Sequence, residues 1–189
     1  MFNIFGFYKF KKLNNLKKLK NRLENNLKDY EIRGTIIISP EGVNGTISDK
    51  KNNLLKFNKL LKKILSIKKF NSENNSNSKF NPFHKLKIKI KKEVVPMGFK
   101  VRNYNFPKNN LNPREWNKII KKKDTVLIDA RKSFEYDVGT FKKSLNPNIE
   151  NFREFPKYLN QFKNSENIAM FCTGGIRCEK ANIYLKKKG

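Results

Sequence analysis

A short apolar run near the end of the chain, followed by a cysteine and a glycine-rich turn, restricts the possible folds more than any other feature. Residues 168–171 (IAMF) have the length and composition of a buried strand. They lead directly into residues 172–177 (CTGGIR), and residues 178–185 then have the pattern of a helix. A buried strand, a turn and a helix in this order indicate an α/β fold with its site at the carboxyl end of the strand.

The same turn favours a reactive cysteine at its start. Glycines allow close approach and positive φ, so backbone N–H groups can surround the Cys172 sulfur. The helix N-terminus and Arg177 add positive charge, and both favour the nucleophilic thiolate over the thiol. We therefore predict Cys172 as the active-site residue, with Gly174 and Gly175 as a substrate-binding backbone cradle and Arg177 stabilising an anion. The alternative is a cysteine that is buried only for packing.

Composition excludes several other classes of protein. No stretch approaches the ~20 apolar residues of a membrane span, and the first residues lack the basic-then-apolar order of a secretory signal. Cys172 and Cys178 lie too close in sequence for a disulfide between them to stabilise the fold. A chain without stabilising disulfides is typical of the reducing cytoplasm. The single histidine, His84, belongs to no cluster with the spacing of metal ligands. We expect a cytoplasmic protein with no membrane contact and no metal site.

The formal net charge of +27 predicts attraction to polyanions, and above all to RNA. The chain is also crowded with lysine, asparagine, isoleucine and phenylalanine, as an AT-rich genome would impose on any protein. Composition leaves open how much of the charge serves binding and how much reflects this bias.

The first half of the chain has the β-α-β-β-α-β pattern of a ferredoxin-like sandwich, which we expect over residues 1–92. Apolar residues recur at helical spacing from 13 to 30 and from 54 to 64. The predicted strands cover residues 3–9, 35–38, a return strand from 46, and 86–91.

Connections in this half are also predicted. Residues 40–45 (PEGVNG) have the composition of a tight turn around Asn-Gly, and the polar residues 71–81 have that of a mobile loop. Lys87, Lys89 and Lys91 alternate with apolar residues, so they would project from one face. They could contact phosphates, although lysines also protect a solvated sheet edge.

Residues 93–110 carry Pro96, Gly98 and Pro107, and this composition predicts a linker. A second domain follows over residues 111–189, where strands and helices alternate as in a parallel α/β sheet. Its first strand ends at Asp129-Ala130-Arg131, where Asp129 and Arg131 can pair or cap backbone groups. Cys178 could resolve an oxidised Cys172 as a disulfide, or could pack inside the helix.

Several motifs together resemble a known family. Asp129-Ala130-Arg131, Glu135-Tyr136, Gly139 and the CTGGIR turn look like a rhodanese domain, and the chain as a whole resembles the bacterial tRNA uridine hydroxylases. The stretches that carry this resemblance are 39–48 (SPEGVNGTIS), 87–99 (KIKIKKEVVPMGF), 111–116 (LNPREW), 129–156 (DARKSFEYDVGTFKKSLNPNIENFREFP) and 172–181 (CTGGIRCEKA).

The resemblance implies oxygen-dependent hydroxylation of the wobble uridine of tRNA at C5, with the anticodon stem-loop as partner. It implies Cys172 as the active-site residue that forms a persulfide, and molecular oxygen as co-substrate. No flavin, haem or iron motif is visible in the sequence, so we expect no further cofactor and assign no electron donor.

The sequence departs from the family in two places. Lys143 stands where the family has a glycine, and the chain stops at Gly189, where a rhodanese domain normally continues with another strand and helix. We therefore expect a shortened rhodanese domain with an unpaired sheet edge. Two alternatives remain beside the hydroxylase: a general sulfurtransferase, and a non-catalytic basic remnant that binds RNA through residues 1–92.

Overall fold

The computed structural model describes residues 1–28, 30–104, 110–162 and 167–188. The chain divides into two compact units. Unit 1 contains Met1–Val94 and Lys100–Tyr104, and unit 2 contains Val95–Phe99 and the part of the chain after residue 104.

Unit 1 is a five-stranded sheet with two helices, which confirms the predicted ferredoxin-like fold class. Its strand order is β4-β1-β3-β2-β5, with β2 and β5 parallel and the other neighbours antiparallel. The elements are β1 (Phe2–Phe10), α1 (Leu16–Leu27), β2 (Arg33–Ser39), β3 (Gly42–Asp49), α2 (Lys51–Ile64), β4 (Ser72–Ser78) and β5 (Leu86–Ile90).

The predicted mobile loop at 71–81 is wrong, because most of it forms the edge strand β4. Its sequence, SENNSNS, has none of the β-branched or aromatic residues that favour strands. The strand exists because its backbone pairs with β1 from Phe2↔Ser78 to Tyr8↔Ser72, while its side chains stay largely exposed. The strand predicted at 86–91 is present as β5, but it lies at the opposite edge and its lysines are exposed.

The predicted Asn-Gly turn is also wrong. The turn between β2 and β3 is made by Pro40 and Glu41, and Asn44 and Gly45 lie inside β3. The Glu41 side chain is buried and accepts hydrogen bonds from the N–H groups of Val94 (3.0 Å) and Val101 (3.2 Å). This turn therefore ties two later segments of unit 1, at Val94 and Val101, to its sheet.

Gly42→Ala is expected to destabilise unit 1 by on the order of 2–4 kcal/mol. Gly42 has φ of +146°, and an added Cβ would lie 2.0 Å from the backbone oxygen of Lys9 in β1. The control is Gly6→Ala in the same sheet, where the nearest atom would lie at an ordinary 3.8 Å. Denaturant unfolding followed by circular dichroism measures both, and equal losses would contradict the steric argument.

Unit 2 contains two parallel strands, which confirms the predicted parallel sheet in the second half. β6 (Thr125–Asp129) pairs with β7 (Asn167–Phe171), and a further parallel bridge joins Ile128 to Leu145. The helices are α3 (Pro113–Ile119), α4 (Ser133–Val138), α5 (Phe155–Leu159) and α6 (Ile176–Lys188), with 3-10 turns at Phe152–Glu154 and Asn160–Phe162. The core gathers Ile128, Ala130, Phe155, Leu159 and Ala181.

Several residues of the predicted linker have buried side chains and belong to the cores of the two units. Val94 and Val101 are buried in unit 1, and Met97 is buried in the core of unit 2. Within unit 2, the buried Lys180 ammonium of α6 donates to the backbone oxygen of Val95 at 2.9 Å. Residues 105–109 of the predicted linker lie outside the described residues.

In the part of the chain that the structure describes, no helix is both long enough and apolar enough to cross a membrane.

Candidate functional site around Cys172

Cys172 sits where β7 meets α6. β7 ends at Phe171, and α6 begins at Ile176, two residues before the predicted start at residue 178. The loop is therefore shorter than expected, and Arg177 lies in the first turn of the helix. Ile176, the first residue of α6, is buried.

The Cys172 sulfur is surrounded by hydrogen-bond donors from this loop and helix. The N–H of Gly175 donates to Sγ at 3.1 Å, and Gly175 has φ of +88°. The N–H groups of Arg177 and Cys178 and the thiol of Cys178 also interact with it. Gly174 lies within the loop, but the hydrogen bonds described for the sulfur do not include its N–H.

These donors make Cys172 acidic. The Cys178 thiol lowers the pKa most; burial opposes it, and the N–H of Cys178 and the charge and N–H of Arg177 lower it further, to about 5. Hydrogen bonding to Cys172, together with burial, raises the pKa of Cys178. The pair therefore holds one proton on Cys178 and a thiolate on Cys172, which is the nucleophilic form.

A second network fastens the cysteine loop to α4. Thr173 Oγ1 donates to the Glu135 carboxylate at 2.7 Å, and Arg177 approaches the same carboxylate at 3.6 Å. Arg177 also donates to Thr173 Oγ1 at 3.3 Å. Burial would raise the pKa of Glu135, but the hydrogen bond from Thr173, the N–H of Lys132 and the nearby arginines lower it.

Asp129 and Arg131 form a fork at the end of β6, as the sequence suggested for a structural pair. Arg131 donates to both carboxylate oxygens of Asp129, at 2.7 to 3.1 Å, and to the backbone oxygen of Gly139 at 2.6 Å. Burial would raise the pKa of Asp129, but the bonds from Arg131 and from Thr140 outweigh it and lower the pKa.

An apolar cavity of about 930 Å³ opens beside the reactive loop. Cys172, Gly175 and Cys178 contribute to one part of its wall, and three aromatic side chains contribute to another. Those three are in edge or tilted contact, with ring centroids 4.9 to 6.0 Å apart: Trp116, Phe141 and Phe171. A substrate atom placed in this cavity would lie beside the negatively charged sulfur of Cys172.

Sequence reasoning brought Cys172, Gly175 and Arg177 to one site, and the structure places them together. It did not identify Glu135 or Thr173 as partners of Arg177, or Cys178 as a donor to Cys172. Glu135 is part of the Glu135-Tyr136 motif, but its contact with Thr173 joins residues 38 positions apart. No local pattern in the sequence reports such a contact.

No group of three or more histidine, cysteine, aspartate or glutamate side chains within the described ranges could hold a metal ion.

Two known protein families match successive parts of the chain, which correspond closely to the two compact units. Residues 2–94 match the family described as the UPF0176 acylphosphatase like domain. Residues 112–189 match the family described as the rhodanese-like domain.

Two curated relatives illustrate the similarity over the whole chain. A tRNA uridine(34) hydroxylase of Pelagibacter ubique is 61% identical over 189 residues, which are all of this chain and 63% of the relative. A tRNA uridine(34) hydroxylase of Legionella pneumophila (strain Corby) is 40% identical over 98% of this chain and 74% of the relative. The chain thus spans 63% and 74% of the length of these two relatives, less than two thirds of the first.

Proposed function

The chain belongs to the tRNA uridine(34) hydroxylase family, as its sequence motifs predicted, and from that premise we propose that it hydroxylates the wobble uridine of tRNA at C5. The observation that carries the proposal is the environment of Cys172. Its sulfur accepts an N–H from Gly175 at 3.1 Å and has a pKa of about 5, so it is a thiolate at neutral pH.

Each residue around the sulfur has a distinct part in this proposal. Cys172 is the active-site nucleophile and the carrier of a persulfide, and Gly174 and Gly175 form the backbone loop beside bound substrate. Arg177 supplies positive charge to the sulfur while Glu135 and Thr173 hold its guanidinium in place. Molecular oxygen is the co-substrate, as the resemblance implies, and no electron donor is assigned.

The proposed partner is the anticodon stem-loop of tRNA in the cytoplasm. A net charge of +27 favours binding to a polyanion, and the bases of a single-stranded loop are accessible without opening a duplex. The largely apolar cavity beside Cys172, with its aromatic wall, offers room for an unstacked base.

Nucleoside mass spectrometry of tRNA tests this function. A bacterial host that lacks its own wobble-uridine hydroxylase would express the chain or its Cys172→Ser variant. We expect 5-hydroxyuridine or its derivatives to return with the chain and to fall at least a hundredfold with Cys172→Ser, because serine provides no thiolate near neutral pH.

The soluble amount of each protein and its melting temperature are the controls. Equal 5-hydroxyuridine from both proteins would contradict a role for Cys172. No 5-hydroxyuridine from either, with both proteins soluble, would remove the hydroxylase proposal for this chain.

The rhodanese-like match over residues 112–189 favours one second candidate, a general sulfurtransferase. That activity needs the same Cys172 thiolate to accept sulfane sulfur, but it needs no RNA. Turnover of thiosulfate and cyanide without any change in tRNA nucleosides would favour it over the hydroxylase.

A further inference from the structure

Helix α4 exposes two apolar side chains beside the cysteine loop. Phe134 is 63% exposed and Val138 is 88% exposed. They are four residues apart on one helix, so they lie on the same side of it. We call these two residues the α4 strip.

The α4 strip lies close to the reactive loop along the helix surface. Glu135 belongs to the same helix and accepts the hydrogen bond from Thr173, the residue that follows Cys172. Val138 is three residues after Glu135, so the two side chains are neighbours on the helix surface. A molecule that contacts the strip therefore contacts an element that is hydrogen-bonded to the loop of Cys172.

Exposed lysines flank the strip. Lys132 precedes α4, and Lys142 and Lys143 follow it within a few residues. The same stretch has one exposed carboxylate, Asp137, while Glu135 is engaged with Thr173 and Arg177. The surface around the strip thus combines an aromatic ring with an excess of positive charge.

We propose that the α4 strip binds single-stranded RNA next to the base that reaches Cys172, with Phe134 stacking on a neighbouring base and the flanking lysines contacting phosphates. This inference deepens the proposed function and rests on it. Unpaired bases commonly stack on exposed aromatic side chains, and cations beside the ring track the backbone. An exposed phenylalanine fits this use because every base has a face on which it can stack.

Charge favours RNA over a protein as the occupant. The core of a protein interface is depleted in lysine, whereas lysines surround this strip on both sides in sequence. A protein partner is therefore kept as an outcome of the test.

Fluorescence anisotropy with a labelled RNA hairpin carrying an anticodon loop measures the predicted contact. We expect Phe134→Ala and Phe134→Leu to raise the Kd about tenfold, because both remove the stacking ring. Phe134→Trp keeps a ring and should stay within about twofold of the original chain. Phe80→Ala is the matched control, since Phe80 is an exposed phenylalanine (71%) in unit 1.

Salt dependence separates stacking from charge. Phe134→Ala should leave the slope of log Kd against log salt unchanged, because no cation is lost. Replacing Lys142 and Lys143 by glutamine should reduce that slope by about one for each phosphate contact removed. Because Phe134 is exposed, its variants should melt at the same temperature as the original chain.

Several results would overturn the inference. They are failure of the chain to bind the hairpin, a Kd for Phe134→Ala and Phe134→Leu within about twofold of the original, or an equal loss of affinity for a blunt RNA duplex. A change in oligomeric state on sedimentation, without any change in RNA binding, would assign the strip to a protein interface. Hairpin binding that depends on Phe134 in a chain that forms no 5-hydroxyuridine would leave the inference standing and reject the proposed function.

Discussion

Alkylation of Cys172 by iodoacetamide is expected to rise with pH around a midpoint of about 5 and to be nearly constant above about pH 7. A thiol at the ordinary pKa of 9.0 would be only about 1% thiolate at pH 7, whereas Cys172, with its pKa of about 5, would be about 99% thiolate. The difference in reactive fraction is about a hundredfold at neutral pH. Mass spectrometry of the peptide that contains Cys172, after brief labelling across the pH range, measures the midpoint.

Cys178 provides both an internal control and a matched pair of variants. Hydrogen bonding to Cys172 and burial raise its pKa, so Cys178 should remain unlabelled under the conditions that label Cys172. Cys178→Ala removes the thiol donor and should raise the midpoint of Cys172, while Cys178→Ser keeps an O–H donor and should raise it less. A midpoint near 9 in the original chain would contradict the described environment of the sulfur.

Arg131→Ala is expected to reduce the free energy of unfolding of unit 2 by about 3–5 kcal/mol at neutral pH. The Asp129 side chain is 0% exposed and accepts three hydrogen bonds from the Arg131 guanidinium. Without Arg131, the carboxylate remains buried and lacks its counter-charge. Urea unfolding can be followed specifically in this unit, because the chain has one tryptophan and Trp116 belongs to unit 2.

At acidic pH, the original chain and the Arg131→Ala variant should differ less in their free energy of unfolding. The pKa of Asp129 is lowered in the folded chain, so its pairing stabilises unit 2 above the unfolded value of 3.8. That contribution is lost as the pH falls through the lower folded pKa, and Arg131→Ala has less of it to lose, because only the N–H of residue 131 and the Thr140 hydroxyl still donate to Asp129. Arg131→Lys is the control that keeps the charge without the fork, and an intermediate loss is expected. A loss below about 1 kcal/mol for Arg131→Ala at neutral pH would contradict the argument.

The sequence was sufficient for elements whose own side chains determine them. Helices α1 and α2 follow the spacing of their leucines, and β6 and β7 follow short apolar runs. The strand β4 escaped prediction because its partner β1 supplies the reason for its conformation. The turn before β3 was misplaced because Asn44 and Gly45 carry a turn signal that strand pairing overrides.

In the candidate site, too, contacts between residues close in sequence were predicted and tertiary contacts were not. Cys172, Gly175 and Arg177 lie within six residues of one another, so local pattern was enough to bring them together. Glu135 meets the loop through a hydrogen bond from Thr173, and the proton shared by Cys172 and Cys178 depends on the first turn of α6, which brings Cys178 to the sulfur of Cys172. Contacts of this kind arise from tertiary structure and leave no periodic trace.

The asparagine-rich strand β4 shows where mutational drift can accumulate without damage to a fold. The pairing that makes it a strand runs through the main chain, which is the same for any residue other than proline, while two of its side chains, Glu73 and Asn77, also bind Lys62 and Asn3. The exposed side chains between them contribute little to this pairing, so a genome with biased codon usage can change them without loss of the strand. Among relatives, such a strand would diverge in sequence like a surface loop while remaining fixed in geometry as part of the sheet.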